Sequence, residues 1–441
     1  MPTGNFPSEK NTYVMNKRLM LLALACFVLS ASQSSCSSDS EESNNGQQAI
    51  TGGNVTAPII DWPISEAQRA EAQPINDFAI RLTHHLWQNA DSSMVASPLS
   101  LAMALSMVVE GAEGETRDEV VKVLGFAPDE HRNLTNLCAS LLHGLSVHDD
   151  SLTLELANAC CVNRQYRLYK EYDQVMRDYY DADIQAMDFS DSEAVAGHLN
   201  AWCKEHTNGM IPQIINENMV DGRMVIFWLN AIYYKGLWRH PFKKEDTSDA
   251  PFHSMSAGTT STIMKPMMHL TDRLPYLRTD NYAAVELPFC GSRFVMTAVL
   301  PHNADGLMPM LRGWTASTVA GIHSQMKVED VALSLPRFSV ESTFADSLKS
   351  ALQDMGAKRI FADAAQITNV SPDASLYVSL MLQNARIDVT EEGTEAAAAT
   401  VIKGQKTGLG ISAIFTANRP FLFYITDLET GLILFMGIYN G

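Results

Sequence analysis

The chain has 441 residues, 46% of them hydrophobic and 19% charged, which fits a globular protein with a sizeable core and excludes a disordered or fibrous one. Its 50 acidic and 32 basic residues leave a formal charge of −18, and such a surface would repel phosphate backbones, so nucleic acid is not an expected partner. Five cysteines lie beyond Cys36, an odd number with no C-x-x-C spacing, which points to neither a disulfide framework nor a zinc site.

The N-terminal segment reads as an address, not as fold. Met15-Asn16-Lys17-Arg18 is basic and is followed by an apolar run from Leu19 to Leu29, too short to span a bilayer and shaped like a secretory signal. Small residues then surround Cys36, and Asp39 to Glu42 are acidic. The pattern is similar to a bacterial lipoprotein signal, which would make Cys36 the lipidated first residue of a secreted, outer-membrane and surface-facing protein. Gln33 departs from that pattern, where an aliphatic residue is usual, and a plain signal peptide is the alternative. Residues 1–36 are therefore expected to be removed or anchored, and 37–70, rich in Ser, Asn, Gly and Gln, to form a tether. Residues 71–441 contain no linker long enough to divide them and are expected to fold as one domain.

Helices come first in that domain. Ala72 to Trp87 has apolar residues at helical spacing. Ser97-Pro98-Leu99-Ser100 opens a second helix, with Ser97 as N-cap and Pro98 in the first turn, and Gly111 closes it. Thr116-x-x-Glu119 reads as a capping box for a third helix, stopped by Gly125. The stretch Leu152 to Val162 alternates, with Cys160 and Cys161 as small buried residues. Val225 to Tyr234 is nearly continuous apolar sequence, as in a strand covered on both faces. Phe294 to Leu300, Val331 to Leu335 and Arg386 to Val389 follow as strands, and Pro420 to Tyr439 as two strands around Thr430-Gly431. Helices first and strands later define an α+β class.

One segment fits neither element. Glu391-Glu392-Gly393 is a polar junction, Thr394-Glu395-Ala396-Ala397-Ala398-Ala399-Thr400 is alanine-rich, and 403–410 is polar and glycine-rich. Alanine favours helix, yet the stretch offers no apolar face to bury. Read instead as a strand, it places Thr394, Ala396, Ala398 and Thr400 on one face. Every inward residue is then small and uncharged, so the strand could enter a packed sheet without overfilling it or burying a carboxylate.

Gly393 to Thr400 resembles the hinge of inhibitory serpins. The resemblance extends from about residue 75 to the C-terminus. Ser97-Pro98-Leu99-Ser100 resembles the start of the family's buried central helix, and Leu229 to Trp238 its central-sheet strand. Phe415 to Phe423 is similar to the signature after the reactive loop, and Leu434-Phe435-Met436-Gly437 to the last strand. The resemblance implies a single-domain fold with three β-sheets and about eight or nine helices, no cofactor, no metal, and a monomer. It implies suicide inhibition of serine proteases, and also of cysteine proteases. The enzyme attacks the loop, forms an acyl-enzyme, and is trapped when residues 393–406 insert as a strand. It further implies a sheet-opening region of Ser97, Ser100, Asn230, Trp238 and Gln383, the last standing where the family commonly has histidine.

The reactive bond is less defined. A count of about fourteen residues beyond Gly393, the family's insertion length, reaches Thr407, whereas counting back about eleven from Pro420 reaches Leu409. Lys406 suits the acidic pocket of a trypsin-like protease, and Val401, Thr407 or Leu409 suit elastase-like ones. Lys406–Thr407 is the expected main bond. The rival readings are a non-inhibitory serpin, whose hinge would carry bulky or charged inward residues, a surface hydrolase, and an adhesion module. No G-x-S-x-G, H-E-x-x-H or P-loop supports an enzyme.

Overall fold

The computed structural model describes residues 66–87, 92–256, 258–374, 376–394 and 410–441. Among them are nine α-helices: α1 (Glu66–Trp87), α2 (Pro98–Gly111), α3 (Gly114–Val123), α4 (His131–Gly144), α5 (Lys170–Tyr180), α6 (Ser192–His206), α7 (Leu307–Arg312), α8 (Ala316–Gln325) and α9 (Asp346–Met355). The strands of the first half are β1 (Met94–Ala96), β2 (Val147–His148), β3 (Leu152–Asn163), β4 (Asp183–Met187), β5 (Ile226–Leu237), β6 (Ser248–Ser256), β7 (Thr259–Arg278) and β8 (Tyr282–Pro288). Those of the second half are β9 (Phe294–Pro301), β10 (Lys327–Pro336), β11 (Phe338–Phe344), β12 (Gln383–Val389), β13 (Gly393–Thr394), β14 (Ala413–Thr416), β15 (Phe421–Asp427) and β16 (Ile433–Tyr439).

Hydrogen bonding joins these strands into two sheets. A seven-stranded sheet runs β11-β12-β13-β5-β3-β2, with β4 beside β3. A nine-stranded sheet runs β1-β16-β15-β9-β8-β7-β10-β14, with β6 beside β7. Two of the three expected sheets are therefore continuous. The 20 residues of β7 pair with β6 over 259–267, with β10 over 267–276 and with β8 over 276–278, so one strand carries the ladder across.

Helix α2 lies at the centre because it is apolar on nearly every side. Ser97 caps it, accepting from Ser100 N at 3.3 Å, and Pro98 occupies the first turn, where its missing N–H costs nothing. Twelve of its fourteen residues are buried, so it has no solvent face and must be covered all round. The even residues of β5, Ile232 and Tyr234, join α2 in the main core, while Leu229 and Ala231 pack with Val195, Leu199 and Trp202 of α6 on the other face. The strand expected to be covered on both sides is so covered.

The Thr116-x-x-Glu119 capping box does not form. Helix α3 starts at Gly114, and Thr116 Oγ1 instead accepts from Gln366 N at 2.9 Å. Glu119 Oε2 accepts from Lys358 N and Arg359 N, both at 2.8 Å. Tertiary partners took both side chains from the local motif.

A buried carboxylate ties α8 to the sheet. Glu286 on β8 is 3% exposed and sits 2.8 Å from His323 Nδ1, and that hydrogen bond holds the His323 pKa above its ordinary value. A raised folded-state pKa stabilises fully below about pH 6.5 and is lost as pH rises through the folded value. His323→Gln should therefore lower the melting temperature at pH 5.5 and matter progressively less towards pH 9. The half-exposed imidazole limits the effect to less than about 1 kcal/mol. A melting-temperature gap that stays constant across that range would dismiss the pair as the cause.

Candidate functional site

The seven-stranded sheet is held open. Among the described residues, β12 and β5 are bridged only through the two residues of β13: Gly393 lies opposite Leu237, and Thr394 lies opposite Gly236 on one side and Val389 on the other. Beyond Thr394 the two flanking strands enclose a cavity of about 310 Å³, bounded by β5, by the segment 376–384, and by residues of α2 and α6. Ser100, Asn230 and Gln383 line it.

The junction before the alanine run is fixed at every residue. Trp238 stacks on Phe289 with ring centres 4.5 Å apart, and its Nε1 donates to Thr390 O at 2.8 Å. Trp238 N donates to Glu392 O at 2.8 Å, and Phe242 N to Glu391 O at 2.9 Å. The Glu391 carboxylate is 3% exposed, and it accepts from Thr247 Oγ1 at 2.8 Å and from Arg337 Nη1 at 3.4 Å. Glu392 pairs with Lys244 at the surface, at 2.8 Å. Gly393 has no substitute here, since a Cβ would stand 2.0 Å from Gly236 O. Thr394 is 1% exposed, and its Oγ1 accepts from Gly236 N at 3.0 Å.

At the level of α2, polar groups cross the sheet in one row. Asn230 Nδ2 donates to Asn158 Oδ1 at 2.7 Å, and Asn158 Nδ2 to Tyr180 O at 2.8 Å. Gln383 Nε2 donates to Ser97 O at 2.8 Å, and Ser97 Oγ to Leu434 O at 2.9 Å. Asn230 Oδ1 and Gln383 Oε1 are both buried without a protein partner. An unsatisfied buried acceptor costs about 1–3 kcal/mol, so two on facing strands are a standing demand for donors.

The structure thus groups Glu391, Glu392, Gly393 and Thr394 with Trp238, and Ser100, Asn230 and Gln383 around the cavity, with Ser97 behind Gln383. The serines do not bond to Asn230. Its partner is Asn158, which sequence reasoning missed although it occupies an inward place in the alternation of β3, just as Asn230 does in β5. Arg337, Thr247 and Lys244 were also missed, and nothing local to those residues points to the hinge. Glu395, Ala396, Ala397, Ala398, Ala399, Thr400, Lys406, Thr407 and Cys36 lie outside the described residues. Among the described residues no cluster of His, Cys, Asp and Glu could hold a metal ion. Burial pushes the thiols of Cys138, Cys160, Cys161 and Cys203 up to about 12, so they are inert as nucleophiles near neutral pH.

The site is a mixed sheet in which β12 and β5 are joined, among the described residues, through the two residues of β13, beside a helix that is buried along nearly its whole length. A family model for Serpin (serine protease inhibitor) matches residues 73–440, and the chain belongs to the serpin family. It is 34% identical over 373 residues to an uncharacterized serpin-like protein of Thermococcus kodakarensis, covering 82% of this chain and 84% of that one. It is 32% identical over 368 residues to the leukocyte elastase inhibitor of Xenopus tropicalis, covering 80% and 94% respectively. Among solved structures, the thermophilic serpin tengpin in its native state superposes with a TM-score of 0.76 at 26% identity, covering 88% of this chain and 97% of tengpin. The expected serpin fold is the observed one. Members of the family are in general protease inhibitors and not enzymes.

Proposed function

We propose that this serpin inhibits serine proteases of trypsin-like and elastase-like specificity, and in some cases cysteine proteases, by covalent trapping. The observation that carries the reading is the two-residue start of a strand, Gly393–Thr394, seated between β12 and β5 with the sheet open beyond it. Continuing the observed antiparallel registers residue by residue gives each further residue a definite place. Ala396 would fall between Tyr234 and Ile387, Ala398 between Ile232 and Ala385, and Thr400 between Asn230 and Gln383. The small residues meet the apolar rows, and the one hydroxyl meets the two oxygens that lack partners.

Insertion of 393–406 after cleavage of Lys406–Thr407 would carry the acyl-enzyme across the sheet before its ester hydrolyses. The protein supplies no catalytic group. Incubation with trypsin and with pancreatic elastase should give an SDS-stable band at the summed mass less that of the C-terminal peptide. The C-terminal peptide released from it should begin within residues 402–410. Cleavage without any such band, for several serine proteases, would overturn the reading in favour of a non-inhibitory serpin.

The row at Asn230 gives a sharper test. Thr400→Val keeps shape and removes the hydroxyl, which should destabilise the loop-cleaved protein by about 1–3 kcal/mol. The uncleaved protein should melt unchanged. Equal melting temperatures for cleaved wild type and cleaved variant would dissociate Thr400 from the row.

We further propose that residues 1–36 are a lipoprotein signal, with Cys36 anchoring the tether 37–70 and the domain 71–441 as a monomer outside the cytoplasm. Labelling with a palmitate analogue should mark the wild type and not Cys36→Ser.

A further inference from the structure

Seven large apolar side chains among the described residues are exposed, and three of them share one corner of the nine-stranded sheet. These are Val328, Ile411 and Ile414, at 56%, 56% and 67% exposure. Ile414 pairs with Ala332, four residues from Val328 along β10, and Ile411 precedes β14 by two residues. Among the described residues β14 ends the sheet and no strand pairs with its outer edge. Single exposed leucines need no explanation, but apolar side chains gathered on an open edge are what soluble proteins normally guard against.

The corner is not loosely folded. Leu333 and Phe415, on the opposite face of the same two strands, are each 1% exposed. Ser412 N donates to Asp330 O at 3.0 Å, Asp330 N to Ser412 Oγ at 3.1 Å, and Ser412 Oγ to Glu329 Oε2 at 2.7 Å. An apolar surface held this firmly loses little conformational entropy on contact, so most of its burial would appear as affinity.

Its place in the chain selects the occupant. Ile411 follows Thr407 by four residues, which an extended chain spans in at most about 14 Å. An enzyme whose cleft closes on the 406–407 bond would cover about 800 Å² of its partner, and that footprint reaches the corner. We infer that Val328, Ile411 and Ile414 form a docking patch for the apolar surface of the target protease beside its cleft, on the side beyond the cut. The inference rests on the inhibitory reading above. These side chains lie on and just before strands of the nine-stranded sheet, outside the gap between β12 and β5, so the patch acts on encounter and leaves the later insertion step alone. It therefore helps to select which protease is inhibited, where the mixed loop sequence selects weakly.

The test separates the two steps. Trypsin and pancreatic elastase with the active-site serine replaced by alanine bind without cleaving, so their dissociation constants read the encounter alone. The variant Ile411→Ser with Ile414→Ser should weaken binding of at least one of them about tenfold, as expected for loss of apolar contacts within an interface. With the active enzyme it should lower the association rate similarly, at unchanged stoichiometry. Met264→Ser, which removes an equally exposed apolar side chain elsewhere on β7, should change neither. Unchanged binding of both proteases by the double variant would overturn the inference. So would sedimentation or vesicle flotation showing that the substitutions abolish self-association or membrane binding while protease binding stays intact. Failure of the wild type to form any covalent complex would instead count against the inhibitory reading, and is visible in the same experiment.

Discussion

Thr394→Arg is expected to turn the protein from an inhibitor into a substrate. Thr394 is the first side chain of the spare strand, 1% exposed, and its hydroxyl accepts from Gly236 N at 3.0 Å. An arginine there would have to bury its guanidinium between β12 and β5, where the residues opposite it are Val389 and Gly236. Burying an unpaired guanidinium costs several kcal/mol, while the barrier changes the insertion rate tenfold for every 1.36 kcal/mol or so. Insertion competes with hydrolysis of the acyl-enzyme, so a delay of about a hundredfold or more lets hydrolysis win. The gel should show cleaved protein accumulating at the wild-type rate with the SDS-stable band lost. Thr394→Ser, which retains both size and acceptor, should leave the stoichiometry near that of the wild type. Inhibition by the arginine variant at wild-type stoichiometry would sink the insertion mechanism for this chain. A second readout addresses the uncleaved state. Because Trp238 donates to Thr390 O and its backbone N–H to Glu392 O, unseating the hinge should shift tryptophan emission before any protease is added.

The parts of the site that are legible in the sequence are those whose physics is local. Ser97 and Pro98 announce α2 because capping and a fixed φ act within one turn. The run from Val225 to Tyr234 announces β5 because a strand covered by α2 on one side and α6 on the other needs apolar residues at both parities. Thr394 carries its own argument, since an inward place demands a small uncharged residue. What stayed hidden depends on partners far along the chain. Glu391 looks like any exposed acid until Arg337 and Thr247 enclose it. Thr116 and Glu119 satisfy the spacing of a capping box, yet segments about 240 residues away supply better donors. Asn230 signals a need for a partner without saying that Asn158 meets half of it. The unmet half, Oδ1, belongs to the same cavity wall as Gln383 Oε1, and it takes the register of two paired residues to propose Thr400 as the residue that would come between them on insertion.

The largest loss of stability is expected at Asp427, far from the hinge. Asp427 is fully buried at the end of β15, and Arg293, just before β9, donates to it through Nε at 2.8 Å and Nη2 at 3.1 Å. Thr430 Oγ1 donates at 2.8 Å, and Arg293 Nη2 also reaches Gly144 O, the end of α4, at 3.2 Å. The cluster therefore ties two hairpins of the nine-stranded sheet to a helix on its border. Asp427→Ala leaves a mostly buried guanidinium with only the partly exposed Glu429 carboxylate, 3.3 Å from its Nε, as charge partner, which should cost about 3 kcal/mol. The paired change Asp427→Leu with Arg293→Met removes both buried charges and should lose much less, because the carboxylate that then lacks Arg293, Glu429, is partly exposed and reaches water. Thermal melts of the three proteins decide it: additive losses in the double variant would mean that the two residues act independently. On the proposed mechanism the new strand enters the other sheet, so the double variant should still form the covalent complex at wild-type stoichiometry. A double variant that folds yet only acts as a substrate would show that the nine-stranded sheet, and not the hinge alone, governs how fast the gap can fill.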